Sequence, residues 1–255
     1  MIFVTILFGL LVVSHIAPFP LLLDAFAPDR VVWRMPRHPT APTVYLTYDD
    51  GPNPTATGAL LDVLAREDAR ATFFLIDEHV TAETAPLVRR MFAEGHGVAV
   101  HASSRRPTTM LPAELAAWVE GVGDRIESMA GERPCPAFRP HAGWRSRSML
   151  RGLARIDHQL VGWGWMAWDF NWFRPKSARS LAGRIIDRAS DGLIVVIHDG
   201  HHVDPRPDRQ YAVDATAAIV PALKARGFRF ASVCEALTPA PAPRAVAHRD
   251  PDSEG

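Results

Sequence analysis

The chain has 255 residues, and its 28 Lys and Arg side chains are balanced by 28 acidic ones. That length suits one α/β domain with a full core, and zero formal charge removes the electrostatic case for a nucleic-acid partner or an anionic membrane surface. Cys135 and Cys234 form no CxxC pair, which excludes a cysteine zinc site; two cysteines make no disulfide framework and leave the redox compartment open.

Residues 2–23 carry no Asp, Glu, Lys or Arg. As a helix such a stretch spans roughly 30 Å, enough for a bilayer core, although Pro18 and Pro20 would kink or end it. Ala25-Phe26-Ala27 resembles a signal cleavage site, but no basic residue precedes the apolar run. A membrane anchor, a signal peptide and a segment packed on the domain all stay open. The expectation is an anchored or exported protein, with an apolar segment at 1–28 and membrane association through 2–23. Arg30, Arg34 and Arg37 follow the span, and the positive-inside rule would then leave the domain cytoplasmic, against an exported role.

The next run, 43–48, reads as a strand and ends in Asp49-Asp50-Gly51-Pro52. Successive strand residues face opposite sides, so two neighbouring carboxylates share a site only where the strand breaks. A simple turn is the competing reading, since Asp, Gly and Pro are common turn formers. Further strands are expected at 71–76, 98–101, 137–140, 160–165, 193–198 and 229–233. The run Leu193-Ile194-Val195-Val196-Ile197 is apolar throughout, as in a strand buried on both faces. Helices are expected between them at 57–67, 82–94, 112–130, 146–155, 177–189 and 212–225, with Gly95, Gly131 and Gly227 where C-terminal caps belong. Seven strands alternating with helices give a parallel barrel or a doubly wound sheet over 42–237. Residues 238–255, rich in Pro, Ala and charge, read as a disordered tail.

Polar residues gather at the C-terminal ends of these strands: Asp49 and Asp50; His101; Arg139, His141 and Gly143; Asp169 and Trp172; His198 and Asp199. In barrels and open α/β sheets that edge carries the active site. A lone histidine there is more often structural. Five strand ends supplying groups suited to acid–base or metal chemistry are not explained by turns.

In this order the residues resemble the polysaccharide deacetylase family, the NodB-homology domain of carbohydrate esterase family 4. Tyr48-Asp49-Asp50-Gly51-Pro52 is similar to its first motif, Phe138-Arg139-Pro140-His141-Ala142-Gly143 to its third, and Val195-Val196-Ile197-His198 to its fifth. The resemblance implies a distorted (β/α)7 barrel that removes N-acetyl groups from a glycan with a divalent metal, zinc being the expected ion. It makes Asp49 the general base, Asp50 and His101 metal ligands, and Arg139 the partner that keeps Asp49 anionic. It makes the backbone N–H near Ala142 an oxyanion donor and His198 the acid for the leaving amine.

Two motifs depart from the family. In His101-Ala102-Ser103-Ser104-Arg105, Arg105 stands where a second metal-binding His is usual, and Arg stays protonated. Either Asp50, His101 and water hold the metal, or His141 supplies the missing ligand, or Arg105 replaces part of the charge or grips an anionic substrate group. The fourth motif reads Trp168-Asp169-Phe170-Asn171-Trp172; Asp169 is a partner for His198, and Trp172 a surface for stacking a sugar. For Trp163, Trp165 and Trp168 core filling is the simpler reading. His201 and His202 extend a His-rich loop. Two other functions stay open: a deformylase or deacylase of a lipid-linked or phosphorylated amino sugar, and a catalytically weak carbohydrate-binding protein.

Overall fold

The apolar run that begins at Thr43 becomes the centre of one large sheet. The computed structural model describes residues 2–6, 9, 31–37, 40–167, 169 and 177–237. Strand β2 (Thr43–Gly51) is buried along its whole length. Around it lie β1 (Val31–Val32), β3 (Thr72–Ile76), β4 (Gly97–His101), β5 (Ala137–Arg139), β6 (Gln159–Val161), β7 (Trp165–Met166), β8 (Leu193–His198) and β9 (Arg229–Phe230). Their order is β1-β6-β5-β4-β3-β2-β8-β7, with β9 also on β2, and these pairings are all parallel. Helices α1 (Thr57–Arg66), α2 (Ala85–Ala93), α3 (Pro112–Ala130), α4 (Arg147–Arg155), α5 (Ala178–Arg188) and α6 (Gln210–Ala225) alternate with the strands. The result is the distorted (β/α)7 barrel expected for the family.

Side-chain alternation divides the core in two. Val44, Leu46 and Tyr48 of β2 join Phe73, Leu75, Val98, Val100, Phe138, Val195 and Ile197 beneath the helices. Tyr45 instead joins Phe74, Ala99, Ala137, Val161 and Ile194 inside the barrel. With both faces covered, these strands read as continuous apolar runs. Helix ends follow local chemistry: Ser146 Oγ accepts from Met149 N at α4, and Gly95, Gly131 and Gly227 take the positive φ that stops α2, α3 and α6.

Two expected strands are corrected. The run 160–165 splits, because Gly162 N donates to Val32 and Gly164 N to Ile194. The strand at 229–233 stops at Phe230: Val233 N donates to Thr72 Oγ1 and Glu235 N to Ser232 Oγ, turning the chain into α7 (Val233–Leu237). The structure also adds β1, upstream of the strand expected to come first. Residues 31–35 pass from β6, which Val31–Val32 pair, to β8, where Arg34 is bridged to Leu193.

Cys135, just before β5, and Cys234 in α7 form a disulfide across a separation of 99 residues. No helix among the described residues is long and apolar enough to cross a membrane; most of 1–28, Trp168, Trp172 and all of 238–255 lie outside them. Because the bridge closes a long loop, it restricts the unfolded chain strongly. Cys234→Ser should lower unfolding free energy by about 2–4 kcal/mol, read from denaturant curves. Equal midpoints for wild type and variant would contradict this.

Candidate active site

The period of two that builds the barrel interior also aims the polar residues. Tyr45, Ala99, Ala137 and Ile194 face inward. Two or four positions further along the same strands stand Asp49, His101, Arg139 and His198. All four reach the strand C-terminal ends on the inner side. Asp50 would point away, but the register shifts between Asp49 and Gly51 and Asp50 adopts φ 69°. This bulge brings neighbouring carboxylates into one site. His79 Nδ1 donates to the Asp50 carbonyl at 3.0 Å. Close packing completes the turn: a Cβ on Gly200 would lie 1.9 Å from Asp50 O.

Arg139 is fully buried. Its Nη1 donates to Asp49 Oδ1 at 2.5 Å and Thr47 Oγ1 at 2.8 Å; Nε and Nη2 donate to the Val161 and Gly162 carbonyls at 3.1 and 2.9 Å. The guanidinium also lies 3.7 Å from the Phe74 ring centroid. Asp49 is thereby fixed by one oxygen.

Asp50 Oδ1 lies 3.2 Å from His101 Nε2. His101 Nδ1 donates to the Arg139 carbonyl at 2.8 Å, leaving Nε2 as the atom that faces the carboxylates. Burial pushes the His101 pKa down, but Asp49 and Asp50 outweigh it and raise it. Burial likewise opposes ionisation of Asp50, yet the hydrogen bond and charge of His101 hold it below the usual carboxylate range. Two donors sharing one tetrahedral divalent ion stand about 3.3 Å apart, so the Asp50–His101 pair fits half of a metal site. Among the described residues no three His, Cys, Asp or Glu side chains already converge on one ion position. His141 and His202 line the same cleft with ring centroids 4.9 Å apart. Burial, then the charges of His101 and His202, push His141 down to about 4, so it is neutral and has a lone pair at pH 7. His201 is different: its Nδ1 accepts from Asp204 N and Val203 N, at 3.0 and 3.3 Å.

His198 and Asp169 form the second pair. His198 Nδ1 donates to Asp169 Oδ1 and His198 N to Oδ2, both at 2.8 Å. Burial would lower the His198 pKa, but Asp169, helped by Asp50 and Asp49, raises it to about 9. Its ring is therefore an imidazolium at neutral pH. Asp199 lies under the floor, pushed up to about 7 by burial, with Thr57 Oγ1 bonded to Oδ2 at 2.5 Å. Sequence patterns did not single out His79 or Thr57; their contacts arise only from the fold.

These groups floor a cleft of about 660 Å³ walled by Trp33, Trp144, Trp163 and Trp165. Ala142 lines it with φ 50°. Arg105 does not join the floor; it is exposed, its guanidinium 4.6 Å from the Trp144 ring centroid. Trp172 lies outside the described residues.

Fold and site together define a hydrolase of the deacetylase-barrel class. Residues 37–161 match the polysaccharide deacetylase family. A chitooligosaccharide deacetylase of Rhizobium leguminosarum bv. trifolii is 34% identical over 201 residues, 74% of this chain and 89% of that protein. A peptidoglycan-N-acetylglucosamine deacetylase of Bacillus cereus is 30% identical over 207 residues, 81% of this chain and 92% of its own. Among solved structures, a family 4 acetyl xylan esterase from Clostridium thermocellum in complex with a cobalt ion superposes with TM-score 0.66 at 30% identity, covering 76% of this chain and 89% of that one. The chain belongs to the polysaccharide deacetylase family.

The His198–Asp169 pair has a pH signature. The folded pKa of His198 exceeds its ordinary 6.5, so the pair's contribution to stability is full below about 6.5 and is lost as pH rises through about 9. Asp169→Asn should move the His198 titration, followed by NMR, down from about 9 and flatten the fall in unfolding free energy over that window. An unchanged titration would show that Asp169 does not set it.

Proposed function

We propose that this protein removes N-acetyl groups from amino sugars of a polysaccharide by metal-assisted hydrolysis. The observation that carries the reading is the register of β2 on β8, which makes Asp49 and His198 direct strand neighbours. Asp49, held by Arg139, is an acceptor for the proton of an attacking water. His198, held protonated by Asp169, is a donor for the nitrogen that leaves. The arrangement splits base and acid between carboxylate and imidazolium, each with its own partner. The backbone N–H near Ala142 is the donor for the oxyanion of the tetrahedral intermediate. Asp50 and His101, with His141 as third ligand, would hold a divalent ion, expected to be zinc, that polarises the acetyl carbonyl when bound.

Arg105 supports a narrower substrate class. An exposed cation stacked on a cleft-lining Trp144 suits an anionic group on the sugar, as in a phosphorylated or lipid-linked acyl amino sugar. A purely carbohydrate-binding role is disfavoured by the intact base and acid pairs, which binding alone does not need. The Cys135–Cys234 bridge supports residence in an oxidising compartment, as an exported or membrane-anchored domain.

Asp49→Asn and His198→Ala should each lower kcat for acetate release from chitopentaose about 10²–10⁴-fold. Wild-type rates in both variants would overturn the assignment. Metal analysis of the purified protein should find about one divalent ion per chain, with a lower content in His141→Ala. Equal content in the two proteins would remove His141 from the ligand set.

A further inference from the structure

Trp33 lies upstream of residues 37–161, the segment that matches the family, yet it lines the cleft beside Asp49 and Asp50. It is carried there by residues 31–35, which bridge β6 and β8. The surrounding chain is shaped to admit this strap. A Cβ on Gly162 would sit 2.2 Å from Trp33 Cε3, and one on Gly192 would sit 2.2 Å from Met35 O. Trp163 stands perpendicular to Trp33, with ring centroids 6.0 Å apart and an interplanar angle of 86°. The guanidinium of the buried Arg145 lies 5.1 Å from the Trp33 centroid. Trp33 is thus held from several sides while its ring stays half-buried and open to the cleft. It packs against the main core on one side and lines the cleft on another. An ordered indole left at the wall of a cleft offers a rigid apolar surface at small entropic cost to whatever lies against it.

We infer that Trp33 is a sugar-stacking residue, holding a pyranose ring adjacent to the one whose acetyl group reacts. The inference rests on the glycan reading above and adds to it a binding subsite supplied by the strap at residues 31–35. Pyranose rings present a face of C–H groups, and a fixed indole beside the catalytic floor selects for a chain of sugars over a single one. Trp33 does not reach the reacting atoms, so its influence falls on substrate binding.

The experiment uses the full chain with chitopentaose as probe. Binding is measured by calorimetry and acetate release by steady-state kinetics, for wild type, Trp33→Ala and Trp33→Phe. Trp33→Ala should weaken Kd and raise KM about tenfold, with the loss larger in KM than in kcat, and Trp33→Phe should recover most of it. Wild-type Kd and KM in Trp33→Ala, with wild-type protein active, overturns the inference and leaves the deacetylase reading intact. A lower Tm in Trp33→Ala with KM unmoved assigns Trp33 to packing and also overturns it. If the wild type neither binds nor deacetylates the probe, the glycan reading fails for this substrate and the inference falls with it.

Discussion

A guanidinium sealed inside a barrel must find partners for its charge and its donors, and Arg139 finds them on two other strands. It ties β5 to Asp49 and Thr47 of β2 and to the carbonyls at the end of β6. Removing one member of such a pair leaves a buried charge without a partner, typically at a cost of about 3–5 kcal/mol. The barrel interior and the floor of the cleft are therefore one construction. Asp49 has its position because Arg139 needs a counter-charge there, and the carbonyl of Arg139 in turn orients His101.

Much of this is legible in the amino-acid sequence. Leu193–Ile197 reads as a two-sided buried strand and becomes β8, and α3 spans the expected residues. The placement of Asp49, His101, Arg139 and His198 at strand C-terminal ends is legible too, whereas their shared inward direction comes from the barrel. What escaped the sequence depends on distant partners. A two-residue strand such as Val31–Val32 has no periodicity to detect. The pairing of Cys135 with Cys234 needs α7 to lie beneath β4 and β5. The bulge at Asp50 is written only in its positive φ, and the contact of His79 Nδ1 with the Asp50 carbonyl arises only from the fold. Asp169 is expected as a partner for His198, and both its oxygens engage that residue.

Residue 105 shows how local chemistry is arranged around a fixed frame. Its side chain, which stays charged and cannot ligate, lies over Trp144. The neighbourhood of Asp50 and His101 is instead populated by imidazoles from two other loops, His141 after β5 and His202 after β8. The strands set Asp49 and His198; the loops and the strap surround them. Division of this kind is common in barrels, where a rigid scaffold positions variable loops.

The ion pairs also fix the sign of the site. Asp49 is matched by Arg139 and Asp169 by His198. Asp50, whose ionised form His101 favours, is left as the surplus anion when that imidazole is neutral. Over these groups the floor then carries a net negative charge, which suits a cation. A divalent ion held there would reverse that sign and supply the polarity that receives negative charge on a carbonyl oxygen. One unmatched carboxylate would in that way serve a cation first and an oxyanion after it.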